Sequence, residues 1–270
     1  MRMSWLPLVR AQADPMRVLR TIAAAALLLA AGQAVAVEVT SPEGELYAFP
    51  RLLDGAGRPL AQSTLAQWFE GGLLHVHLTH AFRDGTQAVE RARFAQGKEL
   101  VQQWWSWEER RGDTLLRSFE VDLVSGRARA RKRDSDREKT WDEQVKVEQG
   151  RTFAGIGITY AVKNLSGRVL RGEDVSIRGI SFLPKPVSLR LEVKHAARER
   201  IGVAGRQVEA DRFEVRLDLK VIKGLLELFK DTPGADVWLH HGRPPMILRV
   251  RYPLAEPWDP VVVVETLGAS

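Results

Sequence analysis

The sequence of 270 residues contains no cysteine. That excludes a lipid-modified N-terminal cysteine, disulfide bonds, and thiolate chemistry at a metal or a nucleophile. A long apolar run is missing as well. The stretch from Ile22 to Ala31 is well short of the roughly 20 residues that a membrane-spanning helix needs. There is no G-x-S-x-G elbow, and Gly155 and Gly157 do not stand at a phosphate-loop spacing. Charge of one sign is not in large excess either. The formal net charge of +6 falls to +3 once residues 1–36, with four arginines and one aspartate, are set aside. That is a mixed surface rather than the concentrated basic footprint of a nucleic-acid binder.

The first segment has the organisation of a secretory leader. Arg17 and Arg20 precede the short apolar run, and the small-residue site Ala34-Val35-Ala36 follows it. The expected organisation is a signal peptide over residues 1–36, cleaved after Ala36, and one β-rich domain over 37–270 in the periplasm. Met16 opens a more usual leader than Met1 does, so residues 1–15 can reflect a mis-assigned start. The mature chain is long enough to bury a sizeable core without disulfides.

Alternation of apolar and polar residues dominates that chain. Leu73–Arg133 reads as an antiparallel meander of about five strands, with Asp84-Gly85 as its clearest hairpin turn. Within it, Glu99–Leu123 holds three of the eight tryptophans. Val101, Trp105 and Trp107 share one face with Trp104 opposite, and Leu115, Phe119, Val121 and Leu123 form the matching row. The basic run Arg127–Arg133 reads as an edge strand protected by charge, with an anionic lipid surface or acidic partner as the alternative. The charged residues 134–149 are expected to end this set of strands.

Gly150–Leu165 then places Phe153, Ile156, Tyr160 and Leu165 at helical spacing, an apolar segment expected to cross a sheet face. Strands resume at Val187–Val193, Arg200–Glu209, Arg212–Val221, Val237–His240, Met246–Tyr252 and Val261–Thr266, with a helical turn or loop at Gly224–Lys230. The continuous run Val261–Val264 suggests burial on both faces.

Chemistry-bearing clusters are few. His75, His77 and His80 form H-x-H-x-x-H, but on a strand only His75 and His77 share a face, so this pair is a weak metal alternative without a third ligand. Glu108, Glu109 and Asp113 gather at a hairpin tip, where charges are ordinarily solvated. No catalytic residue and no cofactor is expected. The aromatic and apolar residues Trp105, Trp107, Phe119, Phe153, Ile156, Tyr160 and Trp238 are the candidates to line a cavity, against the plainer reading that they fill a core.

The segments GRTFAGIGITYAVKNL, RGEDVSIRGISFLPKPVSLRLEV, AGRQVEADRFEVRL, VWLHHGRPPMILRVRYPL and VVVVETL resemble a bacterial exported family of unknown function. The resemblance covers roughly residues 145–268. It implies a half-barrel like that of the periplasmic lipoprotein-localisation carriers: one long curved antiparallel sheet wrapped around one or two short apolar helices. It also implies space for a lipid or acyl chain, and it carries no active site. Three functions follow as expectations: a binding protein for a hydrophobic ligand, an enzyme using His80 or an inward carboxylate as base, or a structural envelope protein that binds a protein partner.

Overall fold

The computed structural model describes residues 36–134, 137–183, 185–203, 205–218 and 234–266. The expected leader up to residue 35 and the Gly224–Lys230 segment lie outside them. The chain enters its sheet in the middle. β1 (Leu46–Ala48) and β2 (Arg51–Asp54) follow one another along β3 (Pro59–Glu70). A meander then runs outward through β4 (Leu73–Phe82), β5 (Thr86–Gln96), β6 (Leu100–Arg111), β7 (Thr114–Asp122), β8 (Arg127–Asp134) and β9 (Arg137–Gln144). From that edge the chain passes to the opposite one at β10 (Thr152–Phe153), which the helix α1 (Ile156–Leu170) follows. A second meander returns through β11 (Val175–Leu183), β12 (Lys185–Val203), β13 (Arg206–Leu217), β14 (Ala235–His240), β15 (Ile247–Pro253) and β16 (Val261–Glu265), which pairs with β2. The result is one open, curved sheet of 16 strands, antiparallel throughout except where β10 meets β11.

This connectivity explains the helix. α1 is the crossover that joins β10 to its parallel neighbour β11, a connection that cannot be a tight turn, and it is buried on nearly every side, from Gly157 to Val169. The sheet curls round it until its ends approach. Phe182 of β11 stacks on Trp105 of β6 at 5.9 Å and lies 4.7 Å from Phe119 of β7. Lys185 at the start of β12 meets Glu143 of β9 at 3.0 Å. The inward rows form one large core in which Leu74, Phe94, Trp107, Phe119, Tyr160 and Phe213 are almost fully buried. Each such side chain contributes about 1.5–3 kcal/mol, and in a chain without cysteine this core holds the fold without disulfides.

Several expectations change. The expected meander from Leu73 is preceded by a further full strand, β3, and the Gly71-Gly72 pair is the hairpin turn between β3 and β4, with φ of 59° and 78°. β9 continues the meander through residues expected to end it, and β11 precedes the first strand expected after the helix. The basic run of β8 therefore lies one strand in from the edge. Its arginines meet an acidic partner within the chain, Arg127 with Asp142 and Arg131 with Glu138, both at 2.6 Å. Phe153 belongs to β10 rather than the helix, which begins at Ile156 and extends to Leu170. Val261–Val264 alternates, with Val262 and Val264 buried and Val261 and Val263 half-buried. A bulge in β6 after Gln102 shifts its register, so Leu100 and Gln102, not Val101, join Trp105 and Trp107 on the inward row.

Candidate functional site

Between α1 and the concave face lies a cavity of about 860 Å³. That falls within the range of roughly 300–1,000 Å³ typical of small-molecule sites. Its wall is mostly apolar, from Leu65, Leu78, Ile180, Leu191, Val237 and Ile247 among others. The way in follows from the sheet's register. β16 accompanies β2 only from Arg51 to Asp54, whereas β1 pairs with β3 alone among the described residues. Beyond Arg51 that pairing ends, and Leu46, Ala48, Pro50, Met246, Ile247 and Thr266 all line the cavity. Leu46 and Met246 are 46% and 47% exposed, which marks this parting as a mouth rather than an interior seam.

The helix N-terminus is clamped to the wall opposite. Glu90 of β5 accepts hydrogen bonds at Oε1 from the Trp105 indole at 2.6 Å and from the Ile156 backbone N–H at 2.7 Å. Gln102 accepts from the Ala154 N–H at 2.7 Å and donates to its carbonyl at 3.1 Å. The glycines that weaken helix propensity in the sequence are what allow this approach. Gly155 sits at φ 51°, and a Cβ there would overlap Glu90 Oε1 and come within 2.6 Å of Trp105 Cε2; one at Gly157 would overlap the Gln102 amide. Further along, Tyr160 accepts from Gln67, and Asn164 Oδ1 accepts from the Thr40 and Ser41 N–H groups at 2.8 and 2.9 Å. Lys163 pairs with Glu43 at 2.6 Å.

Glu90 is 4% exposed, and burial pushes its carboxyl above the ordinary value, against the lowering effect of its two donors. No cation pairs with it, and its Oε2 has no hydrogen-bond partner among the described residues. Trp107, directly across the strand pair from Glu90, has an indole N–H that is buried without a partner. Tyr252 reaches the same interior from β15, its phenol pushed up by burial and by the Glu90 charge. Burial thus favours the neutral forms of Glu90 and Tyr252.

Of the residues expected to line a cavity, Trp105, Trp107, Ile156 and Tyr160 are brought together around it. Phe119 and Phe153 are packed in the core behind it. Trp238 requires a correction: it follows Val237 on the strand and so takes the opposite face. There it pairs across with Arg212 and Arg249, packs with Ile201, Val203 and Ala210, and donates to Glu199 at 2.6 Å. His75 stacks on Trp68 at 5.4 Å and His77 lies beside Thr79, on the outer face. Among the described residues no group of three His, Cys, Asp or Glu stands close enough to hold a metal ion. His80 is sealed in the core, bonded to Ser63 at 2.8 Å, with burial pushing its imidazole down to about 4.

The sequence reading passed over Glu90, Gln67, Gln102 and Arg117. Glu90, Gln67 and Arg117 stand on the inward row of an alternating strand, and that position was the available signal; Gln102 is turned inward only by the bulge in β6, which local alternation does not show. Arg117, between Leu115 and Phe119, meets Glu109 at 2.7 Å, Glu256 at 3.1 Å and Asp259 at 2.9 Å, and Lys132 also pairs with Glu256. These pairs tie β7 and β8 to the connection between β15 and β16.

Fold and cavity define a class: an open half-barrel that encloses a helix and a largely apolar internal space. No family model and no curated protein matches the sequence. Among solved structures, the chain is similar to a β-barrel-like protein of the domain of unknown function DUF1849 from Brucella abortus. The identity is 9% with a TM-score of 0.37, over 83% of this chain and 98% of that one. It is also similar to the hypothetical lipoprotein YmcC from Escherichia coli K12, at 10% identity and a TM-score of 0.33, over 95% of this chain and 97% of that one. Likenesses this remote carry no information about function.

Proposed function

We propose that this chain is an exported, non-catalytic binding protein that holds a lipid acyl chain in the space between α1 and the sheet. The observation that carries the reading is the cavity of about 860 Å³ with its apolar wall and its exposed apolar mouth at Leu46 and Met246. Transfer of an alkyl chain from water into such a space contributes about 0.8 kcal/mol per methylene. Trp105, Trp107, Ile156 and Tyr160 are the proposed contact residues. Phe119 and Phe153 support them from behind. Export rests on the leader-like residues 17–36. Among the described residues no helix is long and apolar enough to cross a membrane.

The test is native mass spectrometry of the protein purified from its host, with extraction and analysis of bound lipid, followed by thermal unfolding with added fatty acids. Co-purifying lipid, or a rise in Tm with added hexadecanoic acid, is the expected result. Absence of both would falsify the reading. The enzyme alternative would use His80 or an inward carboxylate as base; the seal around His80 leaves it without access to the cavity, so that reading would fall to Glu90.

A further inference from the structure

Ile156, Thr159, Tyr160 and Lys163 all border the cavity, and their spacing of i, i+3, i+4 and i+7 makes them one stripe of α1. The stripe runs from apolar to charged. Ile156 lies at the N-terminus that Glu90 clamps, and Lys163 lies about two turns further along. The sheet's register puts the charged end at the mouth. Leu46 pairs across the sheet with Gln67, Gln67 donates to Tyr160, and Lys163 follows Tyr160 on the stripe. Glu43, three residues before Leu46, accepts from the Lys163 ammonium at 2.6 Å.

This pair differs from the other charges on the cavity wall. Arg216 and Arg251 both turn to Asp236, at 3.0 and 3.1 Å, and Glu256 turns to Arg117 at 3.1 Å. Lys163 and Glu43 have each other and no further ionic partner among the described residues. They are largely withdrawn from water, yet their side chains keep 9% and 12% of their surface accessible. Both also have capacity to spare. An ammonium carries three donors, and Lys163 uses one; Glu43 Oε2 accepts from no group among the described residues.

We infer that Lys163 and Glu43 form a head-group site at the mouth, which takes an acyl lipid of the phosphoethanolamine type, tail inward along the Tyr160, Thr159 and Ile156 stripe. This inference rests on the proposed acyl-binding function and adds to it the orientation and head-group class of the ligand. Phosphate oxygens meet the spare donors of Lys163, and the lipid ammonium donates to Glu43 Oε2, both as charge-assisted hydrogen bonds. A head that is only anionic would satisfy Lys163 but lie against the Glu43 carboxylate, and a cationic head would do the reverse. A head with both signs leaves the four charges neutral in a site with little water to screen them.

The experiment compares three ligands with the same hexadecanoyl chain: lysophosphatidylethanolamine, lysophosphatidic acid and monohexadecanoylglycerol. Their affinities for the full chain are read by displacement of a fluorescent fatty-acid probe, below their micelle-forming concentrations. The phosphoethanolamine lipid is expected to bind on the order of tenfold more tightly than the monoglyceride, with the phosphatidic acid between them. Glu43→Gln should reverse the order of the two phosphate lipids. The double variant Lys163→Met/Glu43→Gln, which leaves no buried ion unpaired, should lose the preference for either phosphate and keep its affinity for the monoglyceride. Both variants are measured after circular dichroism confirms the fold, and the comparison in the parent decides by itself if one does not fold. Equal binding of the three ligands, or a preference unchanged in the double variant, overturns the head-group site and leaves the acyl-binding function standing. Tightest binding of the phosphatidic acid by the parent overturns it in favour of Lys163 as a plain anion site. Binding of none of the three overturns both.

Discussion

Asp236 and Glu265 on the outer face and Glu90 on the inner one are equally buried, at 3–4% exposure, yet they are neutralised in different ways. Asp236 lies between Arg216 and Arg251, and Glu265 between Arg51 and Arg249. Glu90 has neutral N–H donors on one oxygen and no cation. The tryptophans repeat the contrast: Trp238 outside donates to Glu199, while Trp107 inside donates to nothing. Outside, Asp236, Glu265 and Trp238 are each compensated by strand neighbours, the arrangement of a wall. Inside, Glu90 and Trp107 keep hydrogen-bonding capacity that no neighbour among the described residues uses. That difference separates a structural carboxylate from a candidate binding one better than burial does.

The largest expected effect breaks the inner arrangement outright. Gly155→Val introduces a Cβ at φ 51° into the space held by Glu90 and Trp105. Backbone strain and loss of the buried clamp should together destabilise the protein by about 3–5 kcal/mol, read as a drop in the urea midpoint with little change in m. Stability unchanged within about 0.5 kcal/mol would show that the helix does not depend on this contact.

Next comes His80, which shares the inner regime: one nitrogen bonded to Ser63, the other without a partner. Its folded value of about 4 lies below the ordinary 6.5 because burial disfavours the cation. Between those values the unfolded chain binds a proton that the folded one refuses, so stability falls as pH drops from 6.5 toward 4 and levels off below. The full difference is about 3 kcal/mol. In His80→Asn the slope of unfolding free energy over that pH window should be shallower than in the parent. Equal slopes would show that His80 does not titrate as a buried imidazole.

How far the sequence carried these conclusions depended on which rule each element obeyed. Strands with one buried face were legible because alternation is a local property, and β4, β5 and β7 stand where it put them, while β13 joins parts of two expected strands, Arg200–Glu209 and Arg212–Val221. β9 was hidden because it is charged on both faces: it pairs with β8 through arginine–carboxylate contacts and buries little. The start of α1 was hidden for the opposite reason. Gly155 and Gly157 lower helix propensity locally, and only their tertiary neighbours, Glu90 and Gln102, show why they are there. In the site, the aromatic pair Trp105 and Trp107 was read from period two. Trp238 was misplaced because an apolar residue on a strand can serve either face, and only the pairing of Val237 decides which. The inward Glu90 was visible as an acid in line with Ala88, Ala92 and Phe94, a break in pattern of the kind that marks functional positions.

The smallest expected effect sharpens the comparison most directly, because it asks the same question of both faces. Asp236→Asn removes the charge that Arg216 and Arg251 share, and it should cost about 1–2 kcal/mol, held to that by the partial exposure of the arginines. Glu90→Gln keeps an oxygen for the Trp105 and Ile156 donors and removes an acid that burial already disfavours, so its effect should stay within about 1 kcal/mol of the parent. The two variants should also differ in pH response. A carboxyl raised in the folded state gives stability that declines as pH climbs through the ordinary glutamate value toward the raised one, since the unfolded chain releases its proton first. Relative to the parent, Glu90→Gln should therefore gain stability as pH rises over that interval. Matched denaturation curves for the two variants at several pH values decide the point: a loss for Glu90→Gln as large as that for Asp236→Asn would make Glu90 one more structural carboxylate.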